Sequence, residues 1–157
     1  MNAVQYPMTI YFDGSCPLCT REVRLLTRYD DQKRLQLVDC SPQNFAPIEG
    51  HSRDAMMALI HARDAAGLWL IGAPVFAAAY QASGFASIAS LWGSQRLQPM
   101  WRVVYPWIAR NRMWLSKFGA IDGMTWVLHR LHARAANKAL AHSRACADDR
   151  CDLPSNK

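Results

Sequence analysis

Charge is missing from residues 65–95, proline is missing between Pro47 and Pro74, and the amino terminus shows neither a basic n-region nor an apolar h-region. The uncharged stretch invites a membrane span, but Gly67, Gly72, Pro74, Gln81, Ser83 and Gly84 interrupt it, and much of the rest is alanine and serine. A spanning helix needs about 20 predominantly apolar residues in succession. The stretch reads better as a strand over residues 68–71 and a helix over residues 74–82 closed by Gly84. Without a secretory signal pattern, the expected location is cytoplasmic. Cysteine is scarce, and its odd number, 5, argues against a fully paired disulfide scaffold. No internal repeat or low-complexity run is visible. With 157 residues, 51% of them hydrophobic, the chain suits one domain with an extension.

What is present begins with Asp13-Gly14-Ser15-Cys16-Pro17-Leu18-Cys19. Ahead of it, Met8-Thr9-Ile10-Tyr11-Phe12 is uncharged and rich in β-formers, as a strand buried on both faces would be. Behind it, Leu18, Val23, Leu25, Leu26 and Tyr29 fall on one side of a helix and Arg21, Arg24 and Arg28 on the other. Pro17 suits the first helical position, where its missing N–H has no intrahelical partner to lose. Cys16 is therefore expected at a helix N-terminus, where unpaired N–H groups and the helix dipole favour thiolate over thiol. Cys19, one turn on, can reach a sulfur bonded to Cys16, so attack and resolution are both supplied.

Two other readings stay open. A C-x-x-C can be half of a zinc site, yet structural zinc sites usually add a second close pair of ligands, and the next cysteine pair, Cys146 and Cys151, lies far off in a polar tail. The two cysteines can also be inert core thiols. The strand–turn–helix setting favours redox chemistry.

The Asp13-Gly14-x-Cys16-x-x-Cys19 signature resembles the DCC family of thiol-disulfide oxidoreductases. The similarity continues through Leu35 to Asp39, Ile60-His61-Ala62-Arg63-Asp64 with Gly67, and Tyr105-x-x-Ile108-Ala109-x-Asn111-Arg112, covering about residues 7–118. The resemblance implies a thioredoxin-like fold. It also exposes a departure. Thioredoxins and glutaredoxins place a cis-proline just before the third strand, where it helps bind the substrate backbone, and the proline-free stretch offers none. Asp13 has two compatible roles: it can accept or relay the proton of Cys19, or it can simply shape the turn and satisfy helix N–H groups.

The remaining pattern fits the thioredoxin order of strand, helix, strand, hairpin, helix. The second strand is expected at Leu35-Gln36-Leu37-Val38-Asp39, with Cys40 as a small buried hydrophobe. A third is expected over residues 57–62, with Asp64-Ala65-Ala66-Gly67 as a hairpin loop. The first two strands should be parallel through a right-handed crossover and the last two antiparallel. His61, on the third strand, is either a hydrogen-bonded core residue or a proton-transfer partner for the cysteines.

Charge divides the chain. Residues 1–91 hold 7 Lys/Arg and 8 Asp/Glu, whereas residues 92–157 hold 11 and 4, together with five of the six tryptophans. A helix is expected over residues 100–118 with a kink at Pro106, its Trp101, Val104, Tyr105 and Ile108 facing the domain and Arg102, Arg110, Arg112 and Lys117 in water. Another is expected over residues 124–142. His129 with His132, and His142 with Cys146 and Cys151, match no strong metal spacing. Scattered basic residues without a binding motif make nucleic acid a poor partner.

The expected protein is an α/β, thioredoxin-like β-α-β…β-β-α core (residues 1–94), a basic aromatic helical extension packed on it (95–142) and a polar tail (143–157). It is expected to be a thiol-disulfide oxidoreductase, with Cys16 as nucleophile, Cys19 as resolver and Asp13 in support. No metal or organic cofactor is required. The partners are a protein or small-molecule thiol or disulfide and an electron donor such as glutathione or a thioredoxin system. The alternative is a non-catalytic thioredoxin-like module whose extension docks an acidic protein or a membrane surface.

Overall fold

The first strand, β1 (Met8–Phe12), is the hub of the architecture. It pairs in parallel with β2 (Leu35–Asp39) and antiparallel with β3 (His61–Arg63), which pairs antiparallel with β4 (Trp69–Ile71). The sheet order is β2-β1-β3-β4. Among the described residues the helices that accompany it are α1 (Pro17–Arg28), α2 (Arg53–Ala58), α3 (Ala73–Ala82), α4 (Ala86–Gly93) and α5 (Gln98–Leu115). This mixed sheet with its helices is a thioredoxin-like α/β fold. The structure, a computed structural model, describes residues 3–116 and Arg130. The chain divides into two units, Met1–Gly119 and Ala120–Lys157, and every element named here lies in the first. The expected helix over residues 124–142, Lys117, Phe118, His129, His132, His142, Cys146, Cys151 and the tail lie outside the described residues.

Alternation along β1 sends Met8 and Ile10 to one face of the sheet and Tyr11 to the other. Met8 and Ile10 are fully buried. On the second face Tyr11, Cys40 and Met56 form a cluster against Val38, Phe45, Ile48, Met57 and Trp69. Each large apolar side chain so covered contributes about 1.5–3 kcal/mol. Helix α1 buries Val23, Leu25 and Leu26 and leaves Arg21, Arg24 and Arg28 exposed. The hairpin turns on Asp64, whose Oδ1 accepts the N–H groups of Ala66 and Leu68 at 2.9 and 2.8 Å.

The third strand is shorter than expected, because residues 53–58 form a helix. Ser52 caps it, its hydroxyl accepting the Ala55 N–H at 3.2 Å, and Asp54 stands in the first turn, where the helix dipole favours negative charge. A brief apolar run such as Met56-Met57-Ala58-Leu59-Ile60 fits strand and helix alike; here the cap decides. The approach to β3 is therefore Leu59-Ile60, still without proline. Gly84, at φ +80°, ends α3 and starts α4, a helix the sequence pattern did not suggest. Helix α5 runs through Pro106. Among the described residues no helix is long and apolar enough to cross a membrane.

One buried contact ties α1 to α3. The Tyr80 hydroxyl donates to Glu22 Oε1, while Glu22 Oε2 is buried without a partner. Burial pushes the Glu22 carboxyl above its usual 4.5, outweighing the Tyr80 hydrogen bond. A carboxyl raised on folding stabilises at low pH, and that contribution is lost as pH rises through the raised value. Glu22→Gln should therefore raise the melting temperature at pH 8 by about 2–4 °C, equivalent to about 1 kcal/mol, and change it little at pH 5. Thermal unfolding of both proteins at the two pH values checks the sign.

Candidate active site

The turn between β1 and α1 is held from two sides. Asp13 Oδ1 accepts the backbone N–H and the hydroxyl of Ser15 at 2.9 and 2.5 Å. Asp39, at the end of β2, accepts the Gly14 N–H at 2.9 Å and the Ser41 N–H at 2.8 Å. A Cβ at position 14 would lie 2.2 Å from Asp39 Oδ2, so any larger residue there requires the Asp39 side chain to move. Burial raises the Asp39 carboxyl, but the hydrogen bonds from Ser41 and Gly14 outweigh it and hold the group below its usual range.

The turn delivers Cys16 to the N-cap of α1, with Pro17 in the first helical turn. The Cys19 N–H donates to Cys16 Sγ at 3.4 Å. A hydrogen bond from the Cys19 thiol lowers the Cys16 pKa most. Burial opposes it, while the Cys19 and Leu18 N–H groups and the Arg112 charge reinforce it, leaving Cys16 at about 6. Cys19 moves the other way: it donates that hydrogen bond, is buried and faces the Cys16 charge, so its thiol is held far above the usual range. Of the two sulfurs, Cys16 is the one whose surroundings favour the thiolate. Cys16 has 0% of its surface exposed and Cys19 is half-buried.

Helix α5 supplies what the sequence pattern missed. Arg112, expected in water, turns inward: its Nη2 meets Asp13 Oδ2 at 2.6 Å and its Nη1 donates to the Met57 carbonyl at 2.7 Å. Two helical turns earlier, the Tyr105 hydroxyl accepts the Ile60 N–H at 3.2 Å, just before β3. Gly72 makes room for the Tyr105 ring, since a Cβ there would lie 3.1 Å from it. Trp101, Val104 and Ile108 are half-buried, and Trp101 stacks on Trp92 with ring centroids 4.2 Å apart. The seven-residue spacing of Tyr105 and Arg112, which places them on one helix face, was the available signal.

Asp13 thus shapes the turn through Oδ1 and pairs with Arg112 through Oδ2. Cys40 is set apart, fully buried beside Met56, with burial pushing its thiol up to about 11. His61 is buried, its Nδ1 2.8 Å from the Leu59 carbonyl and its ring beside His51 and Trp69. Burial pushes it below its usual pKa. Those contacts are the ones expected of a core histidine. Among the described residues no group of three or more His, Cys, Asp or Glu is placed to hold a metal ion.

A family model described as DCC1-like thiol-disulfide oxidoreductase matches residues 10–118. An uncharacterized chloroplastic protein of Arabidopsis thaliana is 25% identical over 122 residues, covering 76% of this chain and 57% of that protein. The chain spans just over half the length of this curated relative. No solved structure matches the chain significantly.

Gly14→Ala should displace the Asp39 side chain, break its hydrogen bond to the backbone N–H of residue 14 and destabilise the protein by about 1 kcal/mol, the usual net worth of such a bond. Urea unfolding measures it; a loss below a few tenths would mean the turn relaxes freely.

Proposed function

This chain belongs to the DCC1-like thiol-disulfide oxidoreductase family, and on that premise we propose that Cys16 and Cys19 form a redox-active dithiol, with Cys16 as nucleophile and Cys19 as resolver. The observation that carries this reading is the Cys19 backbone N–H donated to Cys16 Sγ at the start of α1, which favours negative charge on that sulfur. Thiolate is the attacking species, so Cys16, ionised above about pH 6, outcompetes Cys19 at neutral pH.

The Cys16 thiolate attacks one sulfur of a substrate disulfide. A Cys16–substrate bond forms, the substrate S–S bond breaks, and the leaving thiolate takes the Cys19 proton. Cys19 then attacks Cys16 Sγ, closing the Cys16–Cys19 disulfide and expelling the second substrate sulfur as a thiolate that is protonated by water. Two electrons pass from the dithiol to the substrate. A thiol donor such as glutathione or a thioredoxin-type protein restores the dithiol by the same exchange. Because Cys16 is covered, the incoming sulfur must part the groups around it. The absence of proline before β3 means that substrate binding differs from that of thioredoxins.

Trapping tests the roles. Cys16→Ser should abolish disulfide reduction, and Cys19→Ser should accumulate mixed disulfides on Cys16, read by intact mass. Trapping by Cys16→Ser and not by Cys19→Ser would reverse them.

The outer face of α5 favours a second reading, docking on an anionic lipid surface. Val103 and Trp107 are 73% and 56% exposed one turn apart, with Arg102 and Arg110 exposed beside them. A basic helix face bearing tryptophan suits that interface. Co-sedimentation with phosphatidylserine vesicles should fall with added salt and on replacing both arginines with glutamine; equal binding to neutral vesicles would refute it.

A further inference from the structure

The turn that carries Cys16 is clamped by a cation that comes from the far end of the described chain. We infer that Arg112 is a positioning residue for the dithiol: α5 delivers its guanidinium to this turn, where it stabilises negative charge on the Cys16 sulfur, and Asp13 anchors it there. The inference rests on the reading of Cys16 as nucleophile and deepens it.

The geometry leaves Arg112 little freedom. One guanidinium nitrogen is held by Asp13 Oδ2 and the other by the Met57 carbonyl, at 2.6 and 2.7 Å. Asp13 in turn is fixed through Oδ1 to Ser15, the residue preceding Cys16. Carboxylate, guanidinium and nucleophile are thus tied to one short turn. The pair is well covered, its side chains 18% and 5% exposed for Arg112 and Asp13. Covering two charges costs desolvation, so stability alone is a weak reason for such a pair. The third guanidinium donor, Nε, is buried and has no partner, so the cation is not fully satisfied by its protein acceptors. Arginine stays charged throughout the range in which a thiol titrates.

The groups that act electrostatically on this site are few. Cys16 feels Cys19 and the helix N–H groups of α1, and Arg112 from α5. Arg112 also favours the charged form of Cys19, whereas Asp13 opposes it. Tyr105, pushed up to about 12 chiefly by burial, is neutral in the working range. Of these, Arg112 alone is a permanent cation. On this account the carboxylate of Asp13 holds the guanidinium rather than carrying the Cys19 proton.

The test is the pH dependence of iodoacetamide alkylation in the reduced full chain, read on the Cys16 peptide by mass spectrometry. Wild-type reactivity should reach half its maximum near pH 6. Arg112→Gln should move that midpoint upward and slow alkylation at pH 5.5 by about three- to tenfold, as loss of a nearby opposite charge does. Arg112→Lys should recover most of it. Tyr105→Phe removes another hydrogen bond between α5 and the core, that to the Ile60 N–H, without removing charge, and should leave the midpoint in place. Where Arg112→Gln does not fold, the double variant Asp13→Asn/Arg112→Met removes both charges together, leaves no unpaired buried ion, and should still move the midpoint upward, by less than Arg112→Gln because the Asp13 anion is lost as well. An unmoved midpoint in the charge-removing variants, or an equal shift in Tyr105→Phe, would reduce Arg112 to a helix anchor and overturn the inference. A wild-type midpoint near the ordinary thiol value would sink the dithiol reading itself, and this inference with it.

Discussion

A sulfur held where a helix begins, beside N–H groups that no carbonyl can satisfy, is the constraint on which the rest of the site depends. Cys16 occupies that place only because the chain turns sharply after β1, and the turn exists because two carboxylates hold it. Asp39 reaches across from β2 to the Gly14 N–H, and Asp13 folds back on Ser15. The parallel pairing of β1 with β2 brings Phe12 level with Asp39. Sheet register thus places the carboxylate that shapes the turn, and the turn places the sulfur.

Helix α5 completes this arrangement. Related folds put a proline before the third strand, a residue with no N–H to satisfy. Here Ile60 stands before β3, and its N–H needs an acceptor, which the Tyr105 hydroxyl provides. The same helix sends Arg112 to Asp13. The ends of β3 and β4 then meet α5, where Gly72 leaves space for the Tyr105 ring.

Much of this was legible in the sequence because it is local. The apolar run of β1, the C-x-x-C and the amphipathic spacing of α1 lie within about two dozen consecutive residues, and each obeys its own periodicity. The hairpin at Asp64 and the parallel crossover followed from the same kind of signal. Residues 57 and 58 read as strand and the helix over residues 53–58 escapes the sequence pattern, because a short apolar run has no period of its own and Ser52, a good cap, lies just outside it. Helix α4 was missed because Gly84 reads as a stop, whereas its positive φ here reverses the chain into a new helix. Arg112 was misplaced for a different reason. A cation on an amphipathic helix ordinarily faces water, and its buried partner stands 99 residues away. No local pattern carries such a pairing.

The central claim is that Cys16 and Cys19 close and open a single disulfide while Cys16 is the low-pKa sulfur. The most direct measurement is an equilibrium redox titration of the full chain in glutathione buffers at several pH values, with acid quenching, thiol trapping and peptide mass spectrometry. The account predicts one reversible two-electron transition confined to the Cys16–Cys19 peptide, with a potential whose pH dependence changes slope near pH 6. Two independently alkylated thiols with no Cys16–Cys19 disulfide at any poise would contradict it.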